Sequence, residues 1–113
     1  MGSIQNLTDH EKLVLRHFLE RVANRFGDNY LYSLLYGSKA RGDFNSESDI
    51  DVAVILGQLD FKKKCEIIDL ASDEMLESEV DISPLVFAED DFLQKKLDQA
   101  PILREIERDM VRL

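Results

Sequence analysis

The sequence is poor in the residues that mark several common protein classes. It has one cysteine, Cys65, so no internal disulfide can form. It has two prolines, Pro84 and Pro101, both in the second half, and no repeat, low-complexity tract or Pro/Gly-rich linker that would mark a boundary. No apolar run reaches ~18 residues, so no membrane-crossing helix is expected. The opening Met-Gly-Ser-Ile-Gln lacks a basic region followed by an apolar one, and Asn6 stands where a myristoylation pattern wants Ser or Thr. Cytoplasmic residence is therefore the expectation. Basic charge is scarce as well: 14 Lys/Arg face 23 Asp/Glu, for a net charge of −9. Residues 57–113 hold 15 acids against 8 Lys/Arg, so most of the excess lies in the second half. Such a chain repels the phosphates of DNA and RNA, which makes nucleic acid an unexpected acceptor. Lys62-Lys63-Lys64 is the only basic run and reads as the solvated start of a helix.

What is present describes an ordinary globular chain. At 113 residues and 44% hydrophobic content, residues 1–113 are expected to form a single domain around one core. Thr8 followed by Glu11 reads as a capping box. Leu15, Phe18, Val22 and Phe26 then recur at helical spacing until Gly27, which predicts a helix over 8–26. Tyr30 to Tyr36 is apolar or aromatic except for Ser33 and too short for a helix between two glycines, so a buried strand is predicted. Ser38 to Arg41 fits a short helical turn, and Gly42 to Ser48 a polar loop. Asp49 to Leu56 reads as a second strand, apolar on both faces beyond its first residues and hence covered on both sides. Phe61, Cys65, Ile68, Ser72 and Met75 predict the buried stripe of a helix over 60–77. Val80 to Phe87 reads as a third strand, bent or placed at an edge by Pro84. Glu89-Asp90-Asp91 opens another helix with acids in its first turn. Pro101 opens the last helix, whose stripe is Leu103, Ile106 and Met110. The fold class is therefore α/β (α+β): a small mixed sheet of three or four strands with helices packed on it.

Two strand ends carry the chemistry. In a strand, residues i and i+2 share a face about 6.5–7 Å apart, so Asp49 and Asp51 point together while Ile50, Val52, Val54 and Leu56 point the other way. Paired carboxylates beside an apolar run repel one another and resist desolvation, and a divalent cation offsets both costs. Mg²⁺ takes one or two carboxylates, waters and substrate phosphates. Gly37-Ser38 ends the preceding strand and starts the turn. Glycine allows close approach of a phosphate, and amides at a helix start together with the Ser38 hydroxyl bind an anion. Lys39 and Arg41 in the same turn offer positive charge to a triphosphate. Asp81 lies between Val80 and Ile82. If its strand neighbours Asp49–Leu56, Asp81 joins the pair as a third metal ligand or as general base on an acceptor hydroxyl. Glu79 is its competitor. His10, His17 and Cys65 read as ordinary helix residues, because nothing accompanies them at ligand spacing.

Leu35-Tyr36-Gly37-Ser38-Lys39-Ala40-Arg41-Gly42, with ten residues from Lys39 to Ser48 before Asp49-Ile50-Asp51, resembles the Gly-Ser…Asp-x-Asp signature of the DNA polymerase β-like nucleotidyltransferase superfamily. The short chain is similar to its minimal nucleotidyltransferases, the MNT proteins. The resemblance implies Mg²⁺ and ATP or another nucleoside triphosphate, with transfer of a nucleoside monophosphate and release of pyrophosphate. Gly37 and Ser38 would hold the triphosphate and Asp49 and Asp51 the metals. Asp81 matches the third carboxylate by position. The resemblance further implies an antitoxin paired with a small helical HEPN toxin, which it silences by adenylylating a tyrosine. Two other readings stand beside this one. The chain is either an idle module that masks a toxin, or an aminoglycoside-type small-molecule transferase, for which a homo- or hetero-oligomer would have to supply the acceptor pocket. One departure is that Asp109-Met110-Val111 stands where the family often has a glycine before the last apolar stretch.

Overall fold

A computed structural model describes residues 2–42 and 49–113; the predicted loop lies, apart from Gly42, outside the described residues. Helix α1 spans Asp9–Phe26, with both halves of the Thr8–Glu11 capping box formed. Strand β1, Tyr30–Tyr36, runs into the single helical turn α2, Gly37–Arg41. Strand β2 is Ile50–Leu56, helix α3 is Phe61–Ser78 and strand β3 is Ile82–Ala88. Helices α4, Glu89–Leu97, and α5, Pro101–Asp109, follow, and a short strand β4, Val111–Arg112, comes last.

The described strands form one mixed sheet in the order β3-β2-β1-β4. β1 and β2 are antiparallel, and so are β1 and β4, whereas β2 and β3 are parallel. Parallel neighbours need a crossover, and α3 supplies it. The double-sided apolar character of β2 follows from this place at the centre. Ile50, Val52, Val54 and Leu56 pack with Leu15, Phe18 and Val22 of α1 and with Ile67 and Ala71 of α3. Ala53 and Ile55 face the other way, toward Phe92 of α4 and Leu103 and Ile106 of α5. Pro84 sits in β3 at the edge of the sheet, where its missing N–H costs least. Among the described residues no helix is long and apolar enough to cross a membrane.

Two expectations are corrected. On α3 the buried face is Ile67, Ala71 and Glu74, not the stripe through Phe61, Ile68 and Met75, which are 80%, 42% and 46% exposed. The misleading residue is Glu74. Its side chain is 1% exposed, lies 2.5 Å from His17 Nδ1 and also accepts from Arg21 on α1. A satisfied acid therefore occupies a core position that pattern reading assigns to an apolar residue. The second correction concerns the chain end. Met110 is outside α5 in extended conformation and exposed, and Asp109 is the buried residue there. Asp109 accepts from Arg41 and Arg108, after which the chain turns into β4.

Candidate functional site

The sheet order brings the motif residues to one end of three adjacent strands. β1 ends where β2 begins, because the two are antiparallel, and Tyr36 pairs with Asp51. Gly37 therefore lies directly beside the Asp51 side chain. β3 begins where β2 begins, because those two are parallel, and the Ile50 amide donates to the Asp81 carbonyl at 2.9 Å. Across the sheet the succession is Gly37, then Asp51 with Asp49, then Asp81.

Gly37 is required on two counts. Its φ is +79°, a region that side chains with a Cβ rarely adopt. A Cβ built there would overlap Asp51 Oδ2 and lie 3.1 Å from Asp51 Cγ. The glycine thus leaves the volume into which the carboxylate projects. No side chain caps the start of α2, so the turn at Gly37 and half-buried Ser38 opens without a competing acceptor from its own cap.

The electrostatics are those of an anionic site. Asp51 is half-buried, and its carboxyl is pushed up to about 6, first by burial, then by the charges of Asp49 and Glu105, with Asp81 adding a little and Arg41 opposing. Asp81 is also raised, by desolvation, by a hydrogen bond with the Asp49 side chain and by that neighbour's charge. The buried Tyr36 hydroxyl is raised by burial and by Asp51 and Glu105. Three acids predicted from the sequence therefore converge, and a fourth, Glu105 of α5, faces them. Nothing in the sequence singles out Glu105, one of several acids on an amphipathic helix.

Oxygen-only donors of this kind suit a hard divalent cation. Among the described residues no group of three or more His, Cys, Asp or Glu is drawn close enough to hold a metal alone. The Asp51 carboxyl is raised first by burial and then by the Asp49 and Glu105 charges, costs that a bound cation would offset.

The cationic residues of α2 serve different ends. Lys39 is 3% exposed, and its Nζ lies 2.7 Å from Glu11 Oε2. Glu11 is also the capping-box acid of α1, so one carboxylate ties the helix start to α2. Burial pulls the Glu11 carboxyl up, but the bonds from Lys39 and Thr8 outweigh it and hold the group low. Arg41 donates to Asp109 Oδ2 at 2.8 Å while its charge still reaches Asp51. Glu79 ends α3 in the left-handed conformation and does not enter β3, which leaves Asp81 as the acid beside the pair.

The family model for "Polymerase beta, Nucleotidyltransferase" matches residues 20–109. Two proteins of Methanocaldococcus jannaschii, each named "Putative protein adenylyltransferase", are similar to the chain. One is 32% identical over 66% of this chain and 76% of its own length. The other is 33% identical over 76% of this chain and 82% of its own length. A crystal structure described as "a putative nucleotidyltransferase from Sulfolobus solfataricus" shares the fold at a TM-score of 0.55 and 23% identity, over 88% of this chain and 76% of that one.

Proposed function

The chain belongs to the polymerase β-type nucleotidyltransferase family, and on that premise we propose that it transfers AMP from ATP to a hydroxyl of another protein. The observation that carries this reading is the succession Gly37, Asp51 with Asp49, and Asp81 along the ends of three neighbouring strands. The names of the two archaeal relatives support a protein acceptor.

Each residue has a role that its position allows. The amides at the start of α2 and the Ser38 hydroxyl hold the triphosphate, with Arg41 adding charge from one side. Lys39, bonded to Glu11, fixes the turn rather than the phosphate. Asp49 and Asp51 hold Mg²⁺, which when bound neutralises charge on the phosphates and offsets the repulsion among the acids. Asp81 accepts the proton of the attacking hydroxyl. The acceptor oxygen forms its bond to the α-phosphorus, the bond from that phosphorus to the bridging oxygen breaks, and pyrophosphate leaves. Catalysis of this kind rests on positioning and charge rather than on covalent chemistry by the protein.

The MNT resemblance of the motif further suggests an acceptor of a particular kind, a small helical HEPN-type toxin that this chain silences. Incubation with Mg-ATP and such a partner, followed by intact-mass measurement of the partner, tests the proposal. An AMP adduct is expected with the wild type and none with Asp49→Asn or Asp51→Asn. Protection from the toxin by Asp49→Asn without any adduct would favour masking instead.

A further inference from the structure

A groove lies on the far side of Asp81 from Gly37, between α3 and the edge strand β3. It encloses about 330 Å³, and Ile68, Met75, Leu76, Asp81, Ile82 and Pro84 are among its lining residues. Ile68, Met75 and Leu76 are 42%, 46% and 83% exposed, so the outer arc of α3 spends apolar surface on water. Exposed apolar arcs of this sort are uncommon on a monomer and mark contact surfaces.

We propose that this groove seats the acceptor protein, and that its occupant is an apolar segment flanked by Lys or Arg which carries the hydroxyl to Asp81. The inference rests on the transferase reading above and adds where the acceptor docks and what it looks like. Three observations lead there. The first is continuity: Asp81 belongs both to the carboxylate cluster and to the groove. The second is topology. Gly37 and α2 lie on the β1 side of the Asp49–Asp51 pair, and Asp81 lies on the β3 side, at the sheet edge. A triphosphate held at α2 leaves the β3 side for the attacking hydroxyl. Ile82 and Pro84 pair with Ile50 and Val52 on the α3 face, whereas Asp51 pairs with Ser83 on the other, so the acceptor reaches the pair around the sheet end, at Asp81. The third is charge. Glu66 and Asp73 are tied to Arg25 and Arg21 of α1, but Asp81 lines the groove and residues 65–94 contain no Lys or Arg. The groove therefore favours a basic partner over an acidic one.

The test uses two acceptors of different reach. Tyrosine amide is too small to fill the groove, whereas a synthetic peptide with tyrosine among leucines and flanking lysines can. The wild-type chain with Mg-ATP is expected to modify the peptide with a kcat/KM at least about tenfold above that for the amide. Leu76→Asp, at a position too exposed to unfold the chain, is expected to abolish that advantage and leave the amide rate unchanged. Leu97→Asp, an equally exposed residue of α4, is expected to change neither. In parallel, the methyl resonances of Ile68, Met75 and Leu76 are expected to shift when peptide is added without nucleotide. Equal use of both acceptors, or a peptide advantage that survives Leu76→Asp, would overturn the groove and leave the transferase reading standing. Peptide-induced shifts in those methyls with no transfer to either acceptor would overturn the transferase reading and leave the groove as a binding surface.

Discussion

The Asp51 carboxylate occupies the space where a side chain on Gly37 would begin. A Cβ on that glycine would overlap Asp51 Oδ2 and sit 3.2 Å from Asp51 Cβ. The two halves of the motif are thus one object, a strand end shaped around a carboxylate on the next strand. Gly37→Ala is expected to cost about 1–3 kcal/mol of stability from backbone strain at φ +79°. It is also expected to cut transfer by roughly 100-fold through displacement of Asp51. Thermal unfolding and turnover with Mg-ATP check the two parts.

Asp51→Asn separates stability from activity. The folded carboxyl titrates near 6, above its unfolded value of about 3.9. A raised carboxyl destabilises the folded protein once ionised, so the metal-free protein loses stability as pH rises from about 4 to 6. Asparagine removes that loss. After allowance for solvent at a half-buried site, the variant is expected to gain about 1–2 kcal/mol above pH 6 and almost nothing below pH 4. Transfer activity is expected to vanish. Denaturant melts in chelator at pH 4 and pH 7.5 give the comparison.

Glu74 tests the buried contact between α1 and α3. Glu74 is buried while His17 and Arg21 reach water, so Glu74→Ala is expected to cost about 1–3 kcal/mol through the lost charge-assisted hydrogen bonds and the space it leaves. Glu74→Gln keeps the shape and an acceptor and is expected to lose less than half as much. Urea unfolding midpoints of the two variants decide it.

Asp109 tests the chain end. Its side chain is 4% exposed and receives Arg41 and Arg108. Burial acts to raise its carboxyl, but the two arginines outweigh burial and hold it low. A lowered carboxyl stabilises above its unfolded value, and that contribution fades as pH falls through the folded one. Asp109→Ala is expected to cost about 1–3 kcal/mol at pH 7 through its lost charge-assisted hydrogen bonds, with the difference from wild type shrinking at strongly acid pH. The variant is also expected to weaken nucleotide binding, because Arg41 loses one of the contacts that hold it beside the site.

Much of the fold is legible before any coordinates. The Thr8–Glu11 box, the glycines around β1 and the double-sided apolar run of β2 each reflect a local rule that the structure obeys. The candidate acids stand out for local reasons: Asp51 and Asp81 interrupt apolar residues, and Asp49 lies two residues from Asp51 at the same strand end. What pattern reading loses is long-range satisfaction of charge. Glu74 and Lys39 look like surface residues until His17, Arg21 and Glu11 are brought against them. That blindness turns α3 the wrong way round, hiding a buried acid and calling an exposed stripe core. β4 escapes notice because two residues carry no periodicity, and its pairing with β1 depends on the turn at Asp109.

The most direct measurement is the intact mass of a HEPN-type partner after incubation with this chain and Mg-ATP. The account predicts addition of AMP by the wild type, none by Asp51→Asn and none without divalent metal. A partner left unmodified with every nucleoside triphosphate, or modified equally by Asp51→Asn, would contradict it.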